Sequence, residues 1–390
     1  MKAGIASLVL AYVLSQFYRG FLAVLTPVLK AELGATAETL AFASGLWFLT
    51  FAAMQLPVGW ALDRIGPRRT AVTLFALGGA GGALAFATAT SPAAISLAMA
   101  LIGIGCAPVL MSSYYIFARQ FPPAVFASLA GMTIGIGNLG NIAGSAPLAW
   151  AVETLGWRET MVGMAGVTLL IAALIGLLVR DPAKVEGGPR GSMLDVLRIR
   201  AVWPILAMML ATYMPPAALR GLWVGPYYAD VYGATTAEIG RVTLVMGLAM
   251  VLGSFAYGPL DRVLGTRKWL NFTGNLLCGL SCLLLWAFPA MGGWQTIAIF
   301  AAIGFFGASF PQVTAHGRAF FPPHLVGRGV SMLNLFGIGS VGIAQVLTGK
   351  IHAAIPATPP EAPYAALFLF FGLVLVVGCA IYAFSQDRTD

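Results

Sequence analysis

Charge is what this chain has least of. Only 9% of its 390 residues are Asp, Glu, Lys or Arg, against a hydrophobic share of 59%, and its mean hydropathy is +0.87. Soluble domains carry about 25% charged residues, so a water-exposed globular fold is excluded. Cysteine is scarce too. Cys106, Cys278, Cys282 and Cys379 all fall inside apolar runs, which argues against a disulfide framework. The three histidines form no Ser/His/Asp cluster, and neither an HExxH sequence nor a phosphate-binding glycine loop occurs at usable spacing. An enzyme and a receptor with an added soluble domain are therefore not expected. The 14 acidic residues all sit in loops or at the ends of apolar runs. No intramembrane carboxylate is left to carry a proton.

What is present is apolar length. Twelve runs of roughly 20 residues, from 4–29 through 124–151 and 202–229 to 362–386, can each cross about 30 Å of hydrocarbon. They are continuously apolar rather than alternating, which predicts helices and not a barrel. The first is too long for a cleavable signal peptide. The net charge of +8 is a matter of distribution. Most basic residues lie at the two ends and in the even-numbered loops, while Lys30, Arg158, Arg241 and Lys350 share the odd-numbered loops with seven acids. That pattern places both termini in the cytoplasm, in an inner (plasma) membrane, and leaves no reason to expect a nucleic-acid partner.

The chain repeats itself at an offset of about 200 residues. "LGATAETL" at 33–40 matches "YGATTAEI" at 232–239, "PVGWALDRIGPRR" matches "YGPLDRVLGTRK", and "FPPAVFASLAG" matches "FPPHLVGRGVS". Three regions follow: a bundle over 1–179, a charged Gly- and Pro-containing linker over 180–200, and a second bundle over 201–390.

In its twelve runs, its duplication and its loop signature the chain resembles the major facilitator superfamily over essentially its whole length. The signature is Gly59, Asp63, Arg64, Gly66, Arg68 and Arg69, with Pro67 displacing the basic pair by one place; Asp261 and Arg262 belong to the second copy, which has one residue more before Gly265. The resemblance implies an all-α membrane fold of two pseudo-symmetric six-helix bundles rocking about a central site. It also implies a gating role for these loop residues. A carboxylate at a cytoplasmic helix end can hold guanidinium groups and helix N-termini in one state only.

Two arginines interrupt the apolar runs. Arg19 lies fifteen residues before Gly34 and Arg220 thirteen before Gly233, so they are near-equivalent positions of the two halves. A charge inside a span costs at least about 2.5–3.5 kcal/mol. In the resembled fold the first and seventh helices line the cavity, where two arginines could hold an anion. Snorkelling, or hydrogen bonding to carbonyls at a helix break, is the alternative. Planar guanidinium forks suit carboxylate, nitrate-like or phosphate groups. Tyr18, Gln16, Tyr213, Trp223, Tyr114 and Asn138 are the expected neighbours, with Tyr12, Ser15, Ser112 and Asn141 adding polar groups.

The expected function is thus secondary transport of a small anionic solute by a monomer in the lipid bilayer, without a cofactor. Two alternatives remain. Met246 with Met250 and Cys278 with Cys282, each pair one helical turn apart, could serve a soft metal such as Cu(I), against the reading of ordinary core packing. A multidrug or metabolite efflux carrier is the other. Against proton antiport, the chain has Met99 where the family's helix-4 pattern has arginine, and it lacks the helix-5 Gly-Pro signature, Pro147 following Ala146. The glycines of "GMTIGIGNLGNIAG" are similar to those of nitrate/nitrite porters, and equally suit close helix packing.

Overall fold

With no water in hydrocarbon to satisfy the backbone, each apolar run must close its hydrogen bonds internally, and each does so as helix. A computed structural model describes residues 2–182, 194–322 and 325–388, and no strand occurs among them. Most of the expected linker at 180–200 lies outside the described residues, as does the side chain of Arg262.

The helices of the first half are α1 (Lys2–Gly20), α2 (Leu22–Leu33), α3 (Ala37–Ala53), α4 (Gln55–Arg64), α5 (Pro67–Leu74), α6 (Gly81–Ala87), α7 (Pro92–Gln120), α8 (Pro123–Ala143), α9 (Ala146–Leu155) and α10 (Trp157–Leu178). The second half has the short α11 (Leu194–Leu197), then α12 (Trp203–Thr212), α13 (Met214–Ala218), α14 (Val224–Tyr232), α15 (Thr236–Leu264), α16 (Arg267–Ala287), α17 (Gly293–Phe306), α18 (Phe310–Arg318), α19 (Val326–Ala354) and α20 (Ala362–Tyr382). Among the described residues ten stretches are long and apolar enough to span a membrane, and the bent pair α1–α2 makes eleven. The run expected at 124–151 is the pair α8 and α9, interrupted at Gly144 and Ser145. The chain divides into two compact units, Met1–Glu186 with Thr235–Arg241 and Gly187–Ala234 with Val242–Asp390.

The repeat seen in the sequence is a repeat of backbone devices. Gly34 and Gly233 end α2 and α14 in the left-handed region, at φ 63° and 62°, a conformation that costs glycine nothing. The next helix then starts with a reciprocal cap. Thr36 pairs with Thr39 in one half, and Thr235 with Glu238 in the other.

Helices in lipid gain little from burying more hydrocarbon, so contact between them depends on small residues and shape. The glycines of α8 serve this purpose. A Cβ on Gly137 would strike the ring of Tyr12, and one on Gly140 the backbone of Val13 and Phe17, so α8 lies directly on α1. In the second half Gly337 of α19 makes room in the same way for Phe310 and Met209.

Candidate functional site

Arg19 is the penultimate residue of α1, and the span breaks immediately after it. Gly20 ends the helix, Phe21 intervenes, and α2 leaves at 50°. The Arg19 guanidinium lies over two rings of α3, 5.4 Å from Trp47 and 5.5 Å from Phe51, close enough for cation–π attraction. Its charge also reaches the thiol of Cys106 on α7, which is hydrogen-bonded to Ser15. Residues 12, 16 and 19 fall on one face of α1. There Gln16 donates its amide to the Tyr12 hydroxyl at 3.0 Å, and Tyr12 lies beside Tyr114 of α7. Gln16 Oε1 and the Ser112 hydroxyl are buried without a hydrogen-bond partner in the structure. Asn138 accepts from Asn141 at 3.3 Å on α8.

Arg220 occupies the matching irregularity of the second half. Pro215 and Pro216 remove two backbone donors, and Leu219–Trp223 winds as a π-helical turn. Gln345 of α19 reaches into this break and donates to the Ala218 carbonyl at 3.3 Å. The Arg220 side chain is only 4% exposed, lies against Gly247 of α15 and has Tyr213 as an electrostatic neighbour. Tyr213 in turn packs on Phe310, ring centre to ring centre 4.9 Å.

Two expected neighbours are engaged elsewhere. Tyr18 is fully buried and turned toward α10, where its hydroxyl meets Thr168 at 2.8 Å and the Met164 carbonyl at 3.2 Å. Trp223 donates to Thr348 at 3.0 Å and packs with His352 and Tyr364. The sulfur residues likewise have packing partners: Met246 and Met250 close around Gly304, and the Cys278 thiol faces the Ile303 carbonyl at 3.6 Å.

The loop signature forms a local network. Asp63 accepts from the Tyr115 hydroxyl at 3.1 Å and lies 3.8 Å from Arg119, whose guanidinium covers the Tyr115 ring. Arg64, Arg68 and Arg69 are exposed. Gly59 has open space around it; a Cβ added there would meet nothing nearer than Met111 Cε, at 3.9 Å. Gly66 takes φ 110° and lets the Asp181 carboxylate approach, which accepts the Arg68 N–H at 2.7 Å. In the second half Asp261 pairs with Arg267 at 3.1 Å. Asp387 accepts the Lys268 N–H at 3.0 Å and a bond from Thr266. So a carboxylate just past the last helix of each half caps the start of the third membrane span of that half, α5 in the first and α16 in the second. Neither Asp181 nor Asp387 stands out in the sequence, although their offset of about 200 residues is a signal that points to them. Partial burial alone would raise the Asp387 carboxyl, but the bonds from Thr266 and Lys268 outweigh it and hold the group below its ordinary value.

Twin bundles of apolar helices, each broken beside a membrane-embedded arginine, define a membrane carrier rather than an enzyme. The chain belongs to the Major Facilitator Superfamily, whose sequence profile matches residues 8–221 and 208–390. It is 24% identical over 285 residues to the probable sulfoacetate transporter of Cupriavidus necator, covering 68% of this chain and 65% of that protein, just under two thirds of the relative's length. It is 25% identical over 367 residues to the D-galactonate transporter of Escherichia coli, covering 84% of each. Among solved structures, a D-xylose–proton symporter shares the fold with a TM-score of 0.77 at 14% identity, covering 98% of both chains.

Proposed function

We propose that this secondary transporter moves a small organic anion, and that Arg19 and Arg220 are its charged contacts. The observation that carries the reading is positional. Each half keeps one arginine inside a span, at a break in the same helix of its repeat, where loosened backbone and a fixed charge coincide. Simple snorkelling explains Arg220 poorly, because the side chain is buried. The relatives support the anionic class: sulfoacetate and D-galactonate are anions, and so is the substrate of the 4-hydroxybenzoate transporter of Acinetobacter baylyi, 27% identical over 158 residues and matched over 34% of its length. In the first half the face of Tyr12, Gln16 and Arg19, with Tyr114, Ser112 and Asn138, forms the polar part of the site. In the second half Arg220 and Tyr213 do so. Tyr18 and Trp223 support the helices behind these faces.

Movement is by alternating access of the rocker-switch kind in a monomer, with Asp63 and Asp261 and their arginines stabilising one end state. The positive-inside pattern supports cytoplasmic termini and an inner-membrane location. A thermal-shift screen of the purified protein against D-galactonate, sulfoacetate, 4-hydroxybenzoate, nitrate, phosphate and anaerobic Cu(I) tests this reading, with Arg19→Gln and Arg220→Gln alongside. Saturable stabilisation by an organic anion, lost in both folded variants, is the expected result. Stabilisation by Cu(I) alone, surviving both changes, overturns it.

A further inference from the structure

The polar groups around Arg19 differ in kind, and the difference bears on the solute. The Arg19 end offers donors. A guanidinium has no acceptor, and Trp47 Nε1, in the ring beneath it, is a buried donor with no hydrogen-bond partner. Gln16 offers the opposite. Its amide nitrogen donates to Tyr12 at 3.0 Å, and its Oε1 is buried with no hydrogen-bond partner. Residues 16 and 19 share a face of α1 and lie about 4.5 Å apart along its axis. One face therefore carries a donor end and, three residues away, an acceptor.

Gln16 has no structural task that accounts for its place. The side chain is only 7% exposed, yet its bond to Tyr12 stays within its own helix and ties α1 to nothing else. Other buried polar groups of α1 are engaged. Ser7 donates to the Gly4 carbonyl, Ser15 meets Cys106 of α7, and Tyr18 fastens the helix to Thr168 of α10. In the second half Gln345 stitches the helix break at Ala218. A buried acceptor with nothing to accept from costs more than a bond within one helix returns, and a leucine would pack there without that cost. An unmatched polar group held inside a membrane span, beside a charge, marks a place where the solute supplies the match.

The chemistry of the match is narrow. A carboxylate only accepts, so it belongs at the Arg19 end and cannot serve Gln16 Oε1. An ammonium donates, but Arg19 repels it, and among the described residues no Asp or Glu is buried to hold it. A hydroxyl donates without bringing charge. It also suits the amide turned over: with Oε1 on Tyr12 and Nε2 at the other end, a hydroxyl accepts as readily as it donates. A methylene serves neither orientation. The short axial offset sets the position. A hydroxyl on the second or third carbon of an acid lies within it, and the para hydroxyl of a benzoate lies beyond it.

We propose that Gln16 is a specificity-determining residue of the anion site, reading a hydroxyl on the second or third carbon of the solute. The solute is then a hydroxy acid rather than an unsubstituted or sulfonated one. This rests on the anion reading above. Arg19 holds the carboxylate, and the hydroxyl supplies the hydrogen that Gln16 Oε1 lacks. An analogue without that hydroxyl is rejected because it leaves the buried amide unmatched.

Calorimetric titration of the purified full-length protein tests this on wild type, Gln16→Met, Gln16→Asn and Arg19→Gln. The probes are D-galactonate with its 2-deoxy and 3-deoxy analogues, lactate with propionate, sulfoacetate and 4-hydroxybenzoate. In wild type the hydroxy acid of at least one matched set should bind about 10- to 100-fold more tightly than a deoxy partner, and more tightly than sulfoacetate. Gln16→Met, similar in length but without the amide, should weaken the hydroxy acid and leave the deoxy partner unchanged, closing the ratio to within about threefold. A merely structural Gln16 would weaken every ligand together and leave the ratio standing, which overturns the proposal. Where Gln16→Met does not fold, Gln16→Asn keeps the amide but shortens its reach, and should compress the ratio in the same direction. Equal affinity within every matched set in wild type, or tighter binding of sulfoacetate than of any hydroxy acid, also overturns it. If Arg19→Gln still abolishes binding in those cases, the anion reading stands. If no acid binds saturably to wild type, the anion reading is lost, and the hydroxyl reading falls with it.

Discussion

Replacing Arg220 by lysine keeps the charge but not the geometry. A guanidinium presents a flat fork that grips a carboxylate with two parallel bonds, and an ammonium does not. Hydrogen bonds to charged groups are worth about 1.5–3 kcal/mol, so Arg220→Lys should weaken anion binding by roughly 10- to 150-fold in a thermal-shift or calorimetric titration. Tyr18→Phe should behave oppositely. It deletes the bond to Thr168 and should lower the unfolding temperature through a loss of about 1 kcal/mol, with the anion affinity unchanged. An affinity loss in Tyr18→Phe would return that hydroxyl to the site. The two arginines were legible in the sequence because a charge in an apolar run is conspicuous. Their surroundings were not: Trp47 and Phe51 reach Arg19 from another helix, and nothing in the local spacing distinguishes Tyr18, which faces α10, from Tyr12, which faces α7 and α8.

At the level of elements, helix ends and breaks carry the organisation. Asp181 and Asp387 bind backbone N–H groups at the start of α5 and α16, where the helix dipole favours negative charge. Asp387→Asn should lower stability modestly, by under about 1 kcal/mol, because the group is exposed and screened. The sign of its pH dependence follows from the depressed carboxyl. The contribution is complete above the unfolded value of about 3.9 and is lost as pH falls through the lower folded value. Wild type and Asp387→Asn should therefore differ in thermal stability at neutral pH and converge in acid; a gap that persists in acid would assign the effect to packing. The glycine turns at Gly34 and Gly233 were readable, since a left-handed cap is a local requirement. The break after Gly20 and the π turn at Leu219–Trp223 were not, because they depend on whether neighbours such as Gln345 satisfy the freed carbonyls.

At the level of the whole molecule, charge balance yields the remaining prediction. One-for-one exchange of a labelled monovalent anion moves no net charge and should be indifferent to a potassium-diffusion potential of about 100 mV in proteoliposomes. Such a potential changes the equilibrium distribution of a singly charged solute moving alone about 50-fold. A potential-dependent exchange rate with no net accumulation would count against an anionic substrate held by fixed charges. The sequence by itself determined that this is a membrane protein of duplicated helical halves, because apolar length, basic loops and repeated turn signals are properties of contiguous residues. It also determined where charge enters the membrane. Tertiary structure alone decided which groups meet: the rings on Arg19, the carboxylate caps on α5 and α16, and the enclosure of His316 between Tyr382 and Gln386. These contacts join residues tens to more than a hundred positions apart, and in lipid they are selected by shape and hydrogen-bond satisfaction rather than by apolar burial, which every helix here offers alike.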